Sequence, residues 1–204
     1  KILCFIQYDE KINGVSKEAV SLSQEITNKT NGELTLLTFN ESAANDLQKL
    51  QSNKVLFINE SILNNYNPLY YTAAVKQIMD KGSYDLLILG HTYEARDWIP
   101  RLSARSDIPF ISDCVDYTLN GSSIEWVRTL YRAKINCSIK SADQKTIISV
   151  QSGCFKADNL IQGESPLDTI NVNLSDVQNT ITHGEKFKES GSQIDLSSSD
   201  VIVS

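Results

Sequence analysis

No stretch of these 204 residues is apolar for long enough to span a bilayer, so none of them is expected to form a membrane-spanning helix. The first residues, KILCFIQYDE, read as a strand, which differs from the charged and then apolar pattern of a targeting segment. There are four cysteines, at positions 4, 114, 137 and 154, and none forms a C-x-x-C pair. That excludes a disulfide framework and a zinc ribbon; three lie in apolar strand-like runs and Cys154 follows one, as reduced thiols in a cytoplasmic protein do. The two histidines, His91 and His183, have no cysteine or histidine at ligand spacing, which argues against zinc. G-x-G-x-x-G, G-x-x-x-x-G-K-[ST] and G-x-S-x-G are all absent. So is a glycine run in the loop expected after the first strand, which reads YDEKINGVS (residues 8–16). The recognised phosphate loops and the nucleophile elbow are therefore missing.

Arginine is scarce as well. There are five, and all fall between Arg96 and Arg132: Arg96, Arg101 and Arg105 in GHTYEARDWIPRLSARSD, then Arg128 and Arg132 in WVRTLYRAK. Arginine presents a planar fork suited to carboxylate or phosphate, so its clustering marks recognition or ion pairing. Acid is unevenly placed too. Residues 1–156 hold 17 basic and 17 acidic residues, whereas 158–200 hold eight acids and two lysines. A neutral body with an acidic tail argues against nucleic acid as a partner. An apolar fraction of 41% and a charged fraction of 22% are those of a soluble globular chain.

The pattern predicts strands at residues 2–8, 33–39, 54–58 and 84–89. Helices alternate with them: one capped by Ser16 and ended by Asn31-Gly32, one from Asn40 or Ser42 to Leu50, and one opened by Pro68 and closed by Gly82. YDLLIL (84–89) is continuously apolar and so buried on both faces. This alternation predicts a parallel, doubly wound sheet with helices on both faces. The helix after Gly90 carries Trp98, Ile99 and Leu102 on one side and Arg101 and Arg105 on another; Pro100 either kinks it or marks its first turn. From Pro109 the chain reads as successive strands at 110–118, 123–130, 133–139 and 146–151, with an Asn120-Gly121 hairpin turn. Short connections predict that all of these pair antiparallel. Two further strands are expected at 169–174 and 179–183, then a Gly/Ser-rich linker (184–199) and a strand onset, DVIVS.

Gly90-His91-Thr92 falls where open α/β sheets bind ligands. A turn glycine and a loop histidine are the plain readings there. Asp113 and Asp116, near Arg128 in sequence, read as a structural ion pair at strand ends, and Trp98 and Trp126 as core or interface.

Residues 84–115, YDLLILGHTYEARDWIPRLSARSDIPFISDCV, resemble the N-terminal domain of the electron transfer flavoprotein alpha subunit. Tyr84, Asp85, Gly90, Thr92, Arg96, Pro100, Arg101, Ala104, Ser112 and Asp113 fit that family's pattern. Arg128 and Tyr131 fit its Arg-x-x-Tyr strand, Val150 and Phe155 its Thr-Val-Arg-Pro-x-x-Phe strand, and IDLSSSDVIVS its approach to a second domain. The chain departs at Ala95, where glycine is usual, at Arg132–Asn136, and at Gln151 and Ser152, which stand for Arg-Pro.

The resemblance implies an adenine nucleotide alpha hydrolase-like α/β domain over 1–184, followed at 185–204 by a linker and the first strand of an absent FAD-binding domain. It further implies a cytoplasmic electron carrier without catalytic residues of its own here. Such a carrier takes electrons from flavoprotein dehydrogenases, as in acyl-CoA oxidation. It pairs with a beta subunit through the antiparallel extension and C-terminal strands. FAD belongs to the full-length complex and is not expected on this fragment. Arg96, Arg101, Asp113 and Arg128 are the expected interface or structural ion-pair residues. The alternatives are a stand-alone nucleotide-binding α/β protein and an interaction module without a ligand.

Overall fold

The computed structural model describes residues 1–121, 123–182 and 184. Its first half runs β1 (Ile2–Phe5), α1 (Gly14–Thr30), β2 (Leu34–Thr38), α2 (Glu41–Leu47), β3 (Lys54–Ile58), α3 (Pro68–Gly82), β4 (Leu86–Gly90) and α4 (Tyr93–Ser106). Next come β5 (Phe110–Asn120), β6 (Ser123–Leu130), β7 (Ile135–Lys140), β8 (Thr146–Val150) and β9 (Leu167–Ile170). The nine strands make one mixed, mostly parallel α/β sheet in the order β7-β6-β5-β8-β4-β1-β2-β3-β9.

Short polar side chains set the helix starts. Asn13 Oδ1 accepts from the Val15 N–H and caps α1; Ser16, the residue expected there, instead accepts the Gln7 N–H at 3.1 Å. Asn40, Asn67 and Thr92 cap α2, α3 and α4, with Pro68 in the first turn of α3. Asn31, Ser83 and Asp107 close α1, α3 and α4 in the left-handed conformation. Ser83 takes the role expected of Gly82. Gly82 is needed for another reason, because a Cβ there would lie 2.0 Å from the Tyr84 ring. α4 continues through Pro100, which leaves the Arg96 carbonyl without its i+4 donor.

Each central strand feeds two cores. Along β1, Leu3 and Phe5 face α3 and α4, while Ile2 and Cys4, with Ile6 just beyond, face α1 and α2. Phe5, Phe39, Tyr71 and Trp98 lock together edge to face, with centroids 4.7–6.2 Å apart, and pin α3 and α4 to the end of β1. Trp98 and Trp126 are both buried, one in each core.

The second half differs from expectation first in its pairing. β5, β6 and β7 pair antiparallel, but β8 lies parallel between β4 and β5. The cause is a bend in β5. Its register slips between Ile111 and Cys114 against β8 and again between Cys114 and Asp116 against β6, and Asp113 has a φ of 61°. Beyond the bend, Tyr117 reaches the last turns of α1; its hydroxyl donates to Glu25 (2.9 Å) and accepts from Lys29 (3.1 Å). The extension thus folds back, and a short link returns the chain to β8, whose five residues are buried throughout.

After β8, residues 151–166 cross the α1 face to the far edge of the sheet, where β9 pairs parallel with β3. Gln24, buried on α1, clamps this strap: its amide donates to the Gln51 and Ile161 carbonyls and accepts from the Ile161 N–H. Ser165 ties it to Leu50 and Ser52. The strand expected at 169–174 is therefore displaced to Leu167–Ile170, because pairing with β3 decides its register, and residues 179–182 form no strand. His183 and the expected linker and strand at 185–204 lie outside the described residues.

Candidate functional site

The carboxyl ends of the parallel strands, where this architecture places its sites, carry Gln7 after β1, Gly90–Thr92 after β4, Asp113 in β5 and Gln151 after β8. The topological switch point lies between β1 and β4, because the chain leaves β1 toward β2 and β3 on one side and toward β4 and β8 on the other. It is shut. The start of α1 packs onto Gly90 so closely that a Cβ there would lie 2.5 Å from Val15 Cγ1. Thr92 Oγ1 donates to Gln7 Oε1 at 2.6 Å across the gap while capping α4. The loop after β8 is shut as well. Its Gly153 and Phe155 N–H groups both donate to the buried carboxylate of Glu18, at 3.0–3.1 Å.

Beside the switch point a polar network surrounds His91. Its Nδ1 lies 2.8 Å from Ser149 Oγ, and its Nε2 accepts from Arg96 Nε at 3.1 Å. Because Nε2 is an acceptor, the proton sits on Nδ1 and the ring is neutral. Burial pushes its pKa below the ordinary histidine value; the nearby Asp113 carboxylate works the other way, and Arg96 and Arg128 add to the depression. Asp113 Oδ1 stands 3.9 Å from Nε2, too far for a hydrogen bond, and the Asp113 N–H donates to Ser149 Oγ. Arg96 also lies over the exposed Tyr93 ring, 5.3 Å from its centroid.

Of the four residues singled out in the sequence, Arg96, Asp113 and Arg128 therefore gather around His91. Arg101 stands apart. It pairs with Asp97 one turn away on α4 (3.1 Å), and Tyr66 donates to the other oxygen of that carboxylate. Arg128, opposite Cys114 across β5 and β6, forms no ion pair among the described residues, and its Nε is buried without a hydrogen-bond partner. Arg105 and Arg132 form no ion pair among the described residues either. Sequence reasoning passed over Ser149, Gln7 and Glu18. No motif marks them; each works through a neighbour that only the strand order supplies.

Two kinds of chemistry are not offered by this arrangement. Burial raises the Cys4 and Cys114 thiols to about 12, so neither is a nucleophile near neutral pH. Among the described residues no group of His, Cys, Asp and Glu is arranged to hold a metal ion. A cleft of about 360 Å³ opens over the ends of β1, β2 and β3, floored by Phe5, Phe39 and Tyr71; its rim includes Glu41, Asn59 and Asn64 but no lysine or arginine. The pyrophosphate of a flavin dinucleotide needs free N–H groups or cations, yet the cleft has no cation and the loop donors are taken by Glu18. The same argument weighs against the nucleotide-binding alternative.

A model of the electron transfer flavoprotein domain matches residues 3–177. The chain is similar to electron transfer flavoprotein subunit alpha of Bacillus subtilis, 26% identical over 199 residues, covering 96% of this chain and 60% of that protein. It is similar to the subunit of the same name in Thermoanaerobacterium thermosaccharolyticum, 24% identical over 207 residues, covering 97% and 62%. To Protein FixB of Clostridium saccharobutylicum it is 22% identical over 202 residues, covering 97% and 60%. The chain thus spans about 60% of the length of the relatives it matches. Matched by that model over most of its length, the chain belongs to the electron transfer flavoprotein domain family.

Proposed function

We propose that this chain is the N-terminal part of an electron transfer flavoprotein alpha subunit, working in the cytoplasm as the scaffold that pairs with a beta subunit. The observation that carries the reading is that relatives named as alpha subunits align with nearly all of this chain but with only about 60% of themselves. In this reading FAD is held outside the described residues, in the complete complex. The flavin supplies the redox chemistry, and the protein supplies its binding and orientation. The shut switch point, the Glu18-filled loop and the buried thiols all suit a scaffold. Electrons come from flavoprotein dehydrogenases and pass to a downstream acceptor. Among the described residues no helix is long and apolar enough to cross a membrane.

The test is to purify the chain alone and together with the beta subunit of the same source. The expected outcome is no bound flavin on the chain alone and a one-to-one complex by light scattering when both are present. Stoichiometric flavin absorbance on the isolated chain would overturn the scaffold reading. A mixture that stays monomeric would overturn the alpha-subunit reading.

A further inference from the structure

Strands β1, β2 and β3 are neighbours in the sheet, run parallel, and are each followed by a side-chain amide: Gln7 just after β1, Asn40 just after β2 and Asn59 directly after β3. Because the strands point the same way, their ends bring these amides to one mouth, the cleft of about 360 Å³. Asn64, from the 3₁₀ turn Ser61–Asn64, adds another amide to the same rim. Gln7 and Asn40 are each half used by the fold. Gln7 Oε1 accepts from Thr92 Oγ1, and Asn40 Oδ1 accepts from the Ala43 N–H. Their oxygens are taken and their NH2 groups are left over. Asn59 and Asn64 are exposed, and neither side chain has a hydrogen-bond partner among the described residues; the same holds for the Glu41 carboxylate.

The floor bounds the class of ligand. Phe5, Phe39 and Tyr71 are locked edge to face, and each is at most 9% exposed. They give the cleft an apolar base but no open ring face on which a nucleobase could stack. Charge bounds it further. No lysine or arginine lines the cleft, Glu41 stands on its rim, and the Asp9 and Glu94 carboxylates lie within electrostatic reach of the Tyr71 hydroxyl. A phosphate or carboxylate would meet repulsion there and no counter-charge. An ammonium group only donates, so it leaves the spare NH2 groups of Gln7 and Asn40 unmet. A hydroxyl donates and accepts at once, and so answers both an amide NH2 and the Glu41 carboxylate.

We infer that this cleft binds an uncharged, hydroxyl-rich small molecule, a single sugar ring in size. Its hydroxyls accept from Gln7 and Asn40, exchange hydrogen bonds with Asn59 and Asn64, and donate to Glu41. Its C–H face lies over the aromatic floor. The cleft volume is at the lower end of the roughly 300–1,000 Å³ of small-molecule sites, which suits one ring and not a chain of them. The site needs no beta subunit and no flavin, so it stands or falls apart from the alpha-subunit reading.

The experiment titrates the isotope-labelled 204-residue chain with D-ribose, D-glucose and D-mannose, and follows the side-chain amide signals by NMR. The phosphate esters of the same sugars, adenosine and putrescine are titrated in parallel. The wild type is compared with Asn59→Ala combined with Asn64→Ala, a variant that changes only exposed side chains and so keeps the fold. The expected result is a saturable shift of the Gln7, Asn40, Asn59 and Asn64 amides with at least one of the three sugars, with a dissociation constant of about 1 mM or below. The phosphate ester of that sugar should bind at least about tenfold more weakly, and the double variant at least about fivefold more weakly with an unchanged melting curve. No saturable shift with any of the three sugars up to about 10 mM overturns the inference. So does a shift confined to residues away from the cleft, or equal binding of the sugar by the double variant or of its phosphate ester by the wild type. Shifts with adenosine or putrescine and none with the sugars would give the cleft to a base or an amine, and overturn it as well.

Discussion

Single residues here do work that their chemical type does not announce. Gly90 looked like a plain turn residue, yet its role is to let α1 approach the end of β4. Gly90→Ala is expected to destabilise the chain by about 1–3 kcal/mol through overpacking against Val15, read from the urea midpoint. His91 looked like a loop residue and is instead a neutral ring held from both sides. Its folded pKa lies below the unfolded value near 6.5, so in the window between the two the unfolded chain binds more protons. Stability is therefore complete above about pH 6.5 and falls as pH drops through that window. His91→Gln should flatten the slope of unfolding free energy against pH there, and an unchanged slope would show that another group is responsible. Arg101 is the contrary case. Its family match drew attention, but its pair with Asp97 is exposed and one turn apart on a helix, an arrangement worth a few tenths of a kcal/mol.

Elements were legible in the sequence where their own residues determine them. Continuous burial announced β4, asparagine and proline announced the starts of α2 and α3, and Asn120-Gly121 announced the β5–β6 turn. They were not legible where a neighbour determines them. TIISV is as apolar as a core parallel strand, but its place between β4 and β5 depends on the bend at Asp113, and an aspartate tolerates a positive φ without requiring one. The same gap hid the candidate site, because Ser149 meets His91 only once β8 is set beside β4. The loop after β8 and helix α1 form a second such pair. Glu18→Gln should leave one of the Gly153 and Phe155 donors poorly met and cost about 1–3 kcal/mol, measurable as faster hydrogen exchange at those two amides.

At the scale of the whole molecule, residues 151–170 act as a strap from the middle of the sheet to its far edge. Ending the chain at Val150 would remove the partners of Glu18 and of the Gln24 clamp, together with β9. The expected result is a loss of more than about 3 kcal/mol, seen as a lowered melting temperature or recovery only in aggregates. The position of β8 has a consequence for synthesis. A ribosome makes β4 and then residues 91–145 before it makes the strand that fills the gap between β4 and β5. At about 5–20 residues per second, that interval lasts roughly 3–11 s. Throughout it, one edge of the nascent sheet is the bare apolar ladder LLILG, open to any other strand that meets it. The emerging chain is thus most in need of a chaperone after Gly90 has left the exit tunnel and before Val150 has.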